Sequence, residues 1–108
     1  MHSAAQIRLV YDPDKLREFC SRWQIAELGL FGSVLTERFH SESDVDVLVT
    51  FLPEAHPTLL DLARMETELS EIFGRPVDLL EKTALMQSRN PIRKQAILSS
   101  VEVLYAYR

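Results

Sequence analysis

The sequence predicts an α/β (α+β) fold in which a small mixed sheet of three to four strands is flanked by helices. Two observations lead to this prediction. Strand-like apolar runs alternate along the chain with segments of helical periodicity, and 108 residues suffice for one hydrophobic core but not for two. We therefore expect a single domain over residues 1–108. Residues 1–10 show no clear period and are expected to be partly disordered.

The first predicted elements are a helix and a strand. Asp12 followed by Pro13 is typical of a helix start, because the acid can cap free backbone N–H groups and proline is tolerated in the first turn. The helix is expected to reach about residue 22 or 23, and residues 25–31 should form the first strand. Apolar side chains repeat along the helix at the spacing of one face: Leu16, Phe19, Cys20 and Trp23.

The rest of the chain continues the alternation. The expected elements are a short helix over 33–39, a polar loop over 40–43, a strand over 44–51, a helix over 58–73, a strand over 76–81, a helix over 91–99 and, over 101–105, a short fourth strand or an extended tail. Gly74 supports the end of the long helix, because glycine readily adopts the left-handed conformation of a helix C-cap. The order of the strands in the sheet does not follow from these patterns.

Two carboxylates occupy the otherwise apolar strand over 44–51. Asp44 and Asp46 alternate with valines, so both side chains should lie on one face of the strand. Neighbouring like charges at the edge of a core repel each other and lose hydration, and a bridging divalent cation would relieve both costs. Magnesium commonly binds one or two carboxylates together with substrate phosphates. Asp78, inside the next apolar strand, is a third candidate acid.

A Gly-Ser turn precedes the acidic strand. Gly32 lets a ligand approach the backbone because it has no Cβ, and Ser33 would begin the short helix, where free N–H groups favour an anion. Taken alone, Gly-Ser is better explained as a structural turn with a capping serine. The aspartates that follow favour phosphate binding.

Composition argues against several classes of partner. The net charge is −4 and no run of basic residues exceeds a pair, which disfavours direct binding to a nucleic-acid backbone. No apolar stretch is long enough to span a membrane, and no basic segment followed by an apolar one opens the chain, so we expect a cytoplasmic protein. Cys20 is the only cysteine, which rules out an internal disulfide and a thiolate metal site and favours a role as a small buried hydrophobe.

Three segments together carry a family resemblance. The stretch Leu30-Phe31-Gly32-Ser33, the sequence Ser43-Asp44-Val45-Asp46-Val47-Leu48-Val49 and the run Val77-Asp78-Leu79-Leu80 resemble the minimal nucleotidyltransferases (MNT) of the DNA polymerase β superfamily. The similarity extends from about residue 25 to the end of the chain. In length and motif the chain is similar to antitoxins of the HEPN/MNT toxin–antitoxin type.

The resemblance implies a fold, a site and a reaction. The fold would be the nucleotidyltransferase fold, Asp44 and Asp46 would hold Mg²⁺ that also binds the ATP phosphates, and Gly32 and Ser33 would contact the nucleotide. Asp78 would either complete the metal site or take a proton from the acceptor hydroxyl. The implied reaction transfers AMP from ATP to a hydroxyl, expected to be a tyrosine, on a helical HEPN-type toxin.

Two alternatives to this function stay open at this point. The chain could be a non-catalytic antitoxin that neutralises its partner by binding, or a small-molecule nucleotidyltransferase of the antibiotic-modifying type, although the latter usually has a second helical domain. Residues 34–37 are Val-Leu-Thr-Glu, where many superfamily members carry arginines and a glycine, which leaves Arg38 and Arg93 as candidate contacts for the γ-phosphate. Both a homo-oligomer and a hetero-oligomer are compatible with the sequence.

Overall fold

A computed structural model describes residues 9–32 and 44–107 of the chain. The elements in chain order are α1 (Pro13–Arg22), β1 (Ile25–Phe31), β2 (Val45–Phe51), α2 (Leu59–Phe73), β3 (Val77–Glu81), α3 (Lys82–Met86), α4 (Pro91–Ser100) and β4 (Glu102–Ala106). The predicted helix over 33–39 and loop over 40–43 lie outside the described residues. None of the described helices is both long and apolar enough to cross a bilayer.

The four strands form one mixed sheet in the order β3-β2-β1-β4. The strand β1 is antiparallel to both of its neighbours, whereas β2 and β3 are parallel. This confirms the predicted mixed sheet flanked by helices. Because β4 pairs with β1, the last apolar segment is a fourth strand and not an extended tail.

Local sequence signals set the helix ends. Asp12 caps α1 by accepting a hydrogen bond from the backbone N–H of Asp14 at 2.9 Å. Thr58 and Asp61 form a capping box at the start of α2, and Gly74 ends that helix in the left-handed conformation with φ of 69°. The helix α3 was not predicted, because five residues are too few to show a helical period.

The main hydrophobic core lies on one face of the sheet. The odd-numbered valines of β2 point to this face, where α1 and α2 cover them. Leu9 also packs into this core, so the folded part of the chain begins before residue 10, whereas residues 1–8 lie outside the described range. The fully buried residues of this core include Phe19, Ile25, Leu28, Leu30, Val45, Val47, Val49, Met65 and Leu69.

A second, smaller core lies on the opposite face. Phe31 of β1 and Leu48 of β2 pack there against Leu85 of α3 and Ile97 of α4. Since side chains alternate along a strand, Asp46 lies on the same face as Leu48. The acidic face of the sheet is therefore the one covered by α3 and α4.

Candidate active site

The strand register brings the three predicted acids to one place. Asp46 lies directly opposite Asp78 in the parallel pair of β2 and β3, and Asp44 precedes Asp46 by two residues. Residues opposite each other in adjacent strands share a face of the sheet, as do alternate residues of one strand. Asp46 and Asp78 therefore lie on the α3/α4 side, at the end of the sheet where β2 and β3 begin, and Asp44, immediately before β2, is close enough for its charge to act on Asp46.

Burial differs among the three acids. Asp46 is partly buried, whereas Asp44 and Asp78 are exposed, and no charged residue of the described part of the chain is fully buried. The apolar sequence around each acid therefore does not mean that the acid is buried. The physical reason is position: the acids lie at the starts of their strands, beyond the small second core, where solvent reaches them.

The environment of Asp46 disfavours its charge. Partial burial raises the pKa of the Asp46 carboxyl, and the negative charges of Asp78 and Asp44 raise it further, while the positive charge of Arg93 partly opposes them. Ionised Asp46 is thus held beside two other acids at a cost in free energy. A bound cation would remove that cost.

The acids form an incomplete set of metal ligands. Within residues 9–32 and 44–107, no three His, Cys, Asp or Glu side chains are grouped so that they could hold a metal ion by themselves. Magnesium is often bound by only one or two carboxylates, with substrate phosphates and water completing its shell. Hard carboxylate oxygens and their mutual repulsion fit a site that Mg²⁺ occupies together with a nucleotide.

Gly32 makes room for Asp46. Its φ of +79° is in the left-handed region, and a Cβ at this position would overlap the Oδ2 atom of Asp46. The sequence predicts that the missing Cβ admits a ligand, and the structure shows that it admits a carboxylate of the site itself. Ser33, the second predicted nucleotide contact, lies outside the described residues.

Two side chains of α2 hold the strand that carries Asp78. The backbone N–H of Val77 donates to Ser70 Oγ at 3.1 Å, and that of Leu79 donates to Glu66 Oε2 at 2.9 Å. The N–H groups on both sides of Asp78 are thereby fixed. Sequence reasoning missed these two positioning residues, because a Glu and a Ser four positions apart in a helix are common on exposed surfaces.

Among the residues that the structure describes, Arg93 is the basic residue whose charge acts on Asp46. It lies in the first turn of α4, four residues before Ile97, which packs in the second core, so both residues lie on the sheet-facing side of the helix. Its charge is close enough to act on Asp46. Of the two predicted γ-phosphate contacts, Arg93 thus borders the acids, and Arg38 lies outside the described residues.

We expect Asp46→Asn to raise the melting temperature of the metal-free protein by a few degrees at pH 7. A carboxyl whose pKa is raised by folding destabilises the fold once it ionises, by at most about 1 kcal/mol for a partly exposed group. The gain should disappear as the pH falls below about 4, where Asp46 is protonated in both states. Asp44→Asn, at an exposed position, should change the melting temperature less. A clear drop for Asp46→Asn would instead make its carboxylate a structural hydrogen-bond acceptor.

Comparison with known proteins places this geometry in a family. The profile of the nucleotidyltransferase domain matches residues 14–103. The protein adenylyltransferase MntA of Thermococcus cleftensis is 38% identical over 69 residues, which cover 64% of this chain and 68% of MntA. A candidate protein adenylyltransferase of Methanocaldococcus jannaschii, MJ0435, is 35% identical over 74% of this chain and 81% of its own length.

Solved structures share the fold. A toxin–antitoxin complex with AMP-PNP superposes with a TM-score of 0.66 at 17% identity, covering 90% of this chain and 75% of the matched one. The complex of a tri-AMPylated Shewanella oneidensis HEPN toxin with its MNT antitoxin gives 0.57 at 16% identity over 88% and 70%. A candidate minimal nucleotidyltransferase gives 0.63 at 27% identity over 83% and 86%.

The chain therefore belongs to the nucleotidyltransferase domain family, and it is related to the protein adenylyltransferase MntA and to a candidate minimal nucleotidyltransferase. The family predicted from the sequence is confirmed, and so is the enzyme class.

Proposed function

We propose that this chain is an antitoxin that transfers AMP from ATP to a tyrosine hydroxyl of a HEPN-type toxin, with Mg²⁺ as the metal. The observation that carries the proposal is the register of β2 and β3, which puts Asp46 opposite Asp78 and beside Gly32, with Asp44 immediately before β2. The similarity to MntA, which is named a protein adenylyltransferase, supports AMP as the group that is transferred. The HEPN toxin–MNT antitoxin complex, one chain of which shares this fold, supports a HEPN-type toxin as the partner.

Asp44 and Asp46 are the residues that would hold the metal. Asp44 lies immediately before β2 and Asp46 lies within it, and a cation would relieve the repulsion between their charges. When bound, Mg²⁺ supplies positive charge that stabilises the entering oxygen and the leaving pyrophosphate. Neutral amides at these positions could not balance that charge.

Asp78 would act as the base. In the proposed transfer, the acceptor oxygen forms a bond to the α-phosphorus of ATP, the bond from that phosphorus to the β-bridging oxygen breaks, and pyrophosphate leaves. The proton of the acceptor hydroxyl goes to a carboxylate. Asp78 suits this step because it is exposed on the edge strand β3, where a protein substrate can reach it, and because Ser70 and Glu66 fix the backbone on either side.

Two further groups would orient the nucleotide. Gly32 leaves the backbone accessible at the end of β1, and Ser33 follows it as the predicted phosphate contact. Arg93 offers a guanidinium from α4 to the triphosphate, and in the part of the chain that is described it forms no ion pair. When ATP binds, Arg93 would thus interact with the phosphates instead of with Asp46.

Intact mass spectrometry tests the proposal. Incubating this chain with a HEPN-type toxin that it neutralises, ATP and Mg²⁺ should add about 329 Da to the toxin for each AMP transferred. Replacing Mg²⁺ by EDTA should abolish the addition, and peptide mapping should place it on tyrosine. If the toxin is neutralised while its mass stays unchanged, the chain acts by binding alone and the proposed transfer is wrong.

A further inference from the structure

One segment of this acidic protein carries basic residues and no acidic ones. The whole chain has 12 Lys and Arg against 16 Asp and Glu. Residues 82–101 contain no Asp or Glu and four of the basic residues: Lys82, Arg89, Arg93 and Lys94. This segment comprises α3, α4 and the turn between them, so its own net positive charge lies on the side of the sheet that these two helices cover.

The adjoining ends of the two helices also expose large apolar side chains. Ile92 is 82% exposed and Met86 is 49% exposed. Lys94 Nζ lies 3.5 Å from the carbonyl oxygen of Met86, which shows that the end of α3 and the start of α4 are adjacent. Arg89 is exposed between them. We call residues 86–94 the α3–α4 corner.

The α3–α4 corner borders the acids of the candidate active site. The strand β3, which carries Asp78, runs directly into α3 without a loop. From the other helix, Arg93 is close enough for its charge to act on Asp46. A molecule bound at the corner would therefore lie next to the place where the α-phosphorus of ATP must be.

We propose that the α3–α4 corner docks an acidic segment of the acceptor protein that also carries exposed apolar side chains. Docking there would bring the acceptor hydroxyl to the carboxylates, and this inference rests on the function proposed above. Arg89 and Lys94 would pair with the carboxylates of that segment, and Ile92 and Met86 would contact its apolar side chains. The pairing of opposite charges would favour this acceptor over others and speed its encounter.

A protein segment fits this surface better than a nucleic acid does. Phosphate backbones are bound by concentrated basic faces, and the chain as a whole carries a net charge of −4. Ile92, with 82% of its surface exposed between basic neighbours, offers contact to apolar side chains and none to phosphate. Large apolar side chains together with arginine are typical of the buried centre of protein interfaces.

Binding to synthetic probes tests the docking surface without ATP. The probes are a peptide rich in Glu and Leu around one Tyr, the same peptide with every Glu replaced by Lys, and an oligouridylate of similar length. Fluorescence anisotropy should show binding of the acidic peptide alone, weakening as salt is added. The double variant Arg89→Glu, Ile92→Ser should bind it on the order of tenfold or more weakly, which corresponds to about 1.4 kcal/mol.

The matched control lies on the other face of the sheet. Leu60 and Arg64 are exposed on α2, so Leu60→Ser, Arg64→Glu makes the same chemical changes far from the acids. This variant should bind the acidic peptide like the wild type. Equal binding of the acidic and basic peptides, or equal losses in both double variants, would overturn the proposal. Preferred binding of the oligouridylate would instead make the corner a nucleic-acid surface.

The same variants separate this inference from the proposed function. If the acidic peptide binds at the corner but neither it nor the toxin gains AMP, the docking surface stands and the transfer is wrong. If the toxin gains AMP equally fast with the corner variant, the transfer stands and the docking surface is wrong. Melting curves of both double variants verify that each is folded.

Discussion

Replacing Asp46 by Asn is expected to reduce AMP transfer to the toxin on the order of 10²–10³-fold, since the proposed Mg²⁺ site would lose an anionic ligand and hold the stabilising metal charge less well. The change keeps the size and shape of the side chain. Asp46 lies at the centre of the site, opposite Asp78 in the sheet and two residues after Asp44. In the proposed transfer, a neutral amide at this central position would weaken metal binding, so less positive charge would stabilise the reacting α-phosphate.

Rates of toxin modification, followed by intact mass at saturating ATP, measure this effect. Asp14→Asn is a suitable control, because Asp14 is an exposed acid of α1 whose ion pair with Arg17 lies on the surface. It should modify the toxin at the wild-type rate. Wild-type rates for Asp46→Asn would show that Asp46 is not a metal ligand, even if the reaction class is right. The melting temperature of the variant, expected to be equal or higher, excludes unfolding as the cause of a loss.

Gly32→Ala is expected to reduce transfer about 10²-fold, because displacing a catalytic group by even 1 Å can have an effect of this size. The added Cβ would occupy the space of Asp46 Oδ2, so the carboxylate must move. The variant should also lose about 1–2 kcal/mol of stability, since alanine is strained at a φ of +79°. The loss of activity would arise from the close approach of Asp46 to Gly32, whereas the loss of stability would arise from the backbone conformation of residue 32.

The variant Gly74→Ala distinguishes the effect of backbone strain from the effect of displacing the Asp46 carboxylate. Gly74 has a similar φ of +69°, but nothing lies within 4 Å of a Cβ placed there. This variant should lose a comparable amount of stability and keep its transfer rate. Chemical denaturation gives the stability of both variants, and toxin mass gives their activity. If the two glycine variants transfer AMP equally well, the contact between Gly32 and Asp46 has no role in catalysis.

The two faces of the sheet differ in how many buried side chains they carry and in whether they carry the candidate acids. The α1/α2 face carries the main core and most of the fully buried side chains. Among residues 9–32 and 44–107, four buried residues form the core of the α3/α4 face, and its acids lie beyond them. Placing charge on the less buried face limits the desolvation of Asp46. The stability of the fold and the chemistry of the site thus depend on largely separate sets of residues.

Local signals in the sequence predicted most of the elements correctly. Asp12, Thr58 and Gly74 mark helix ends through short-range hydrogen bonds and backbone conformation, which depend on neighbouring residues alone. The pairing of Asp44 with Asp46 on one face follows from the two-residue period of a strand. The family followed from the same motifs. In contrast, α3 is too short to show a period.

What the sequence by itself determined is therefore the class of fold, the main helices and strands, the three candidate acids and the family. Only the tertiary structure decided that β3 pairs in parallel with β2, so that Asp78 faces Asp46, and that β4 closes the other edge. It also decided that Asp46 alone is partly buried, that Gly32 accommodates its carboxylate, and that α4 brings Arg93 to the acids. The physical reason is that strand pairing and burial arise from contacts between residues far apart in the chain, whereas caps and periodicity arise within one or two turns.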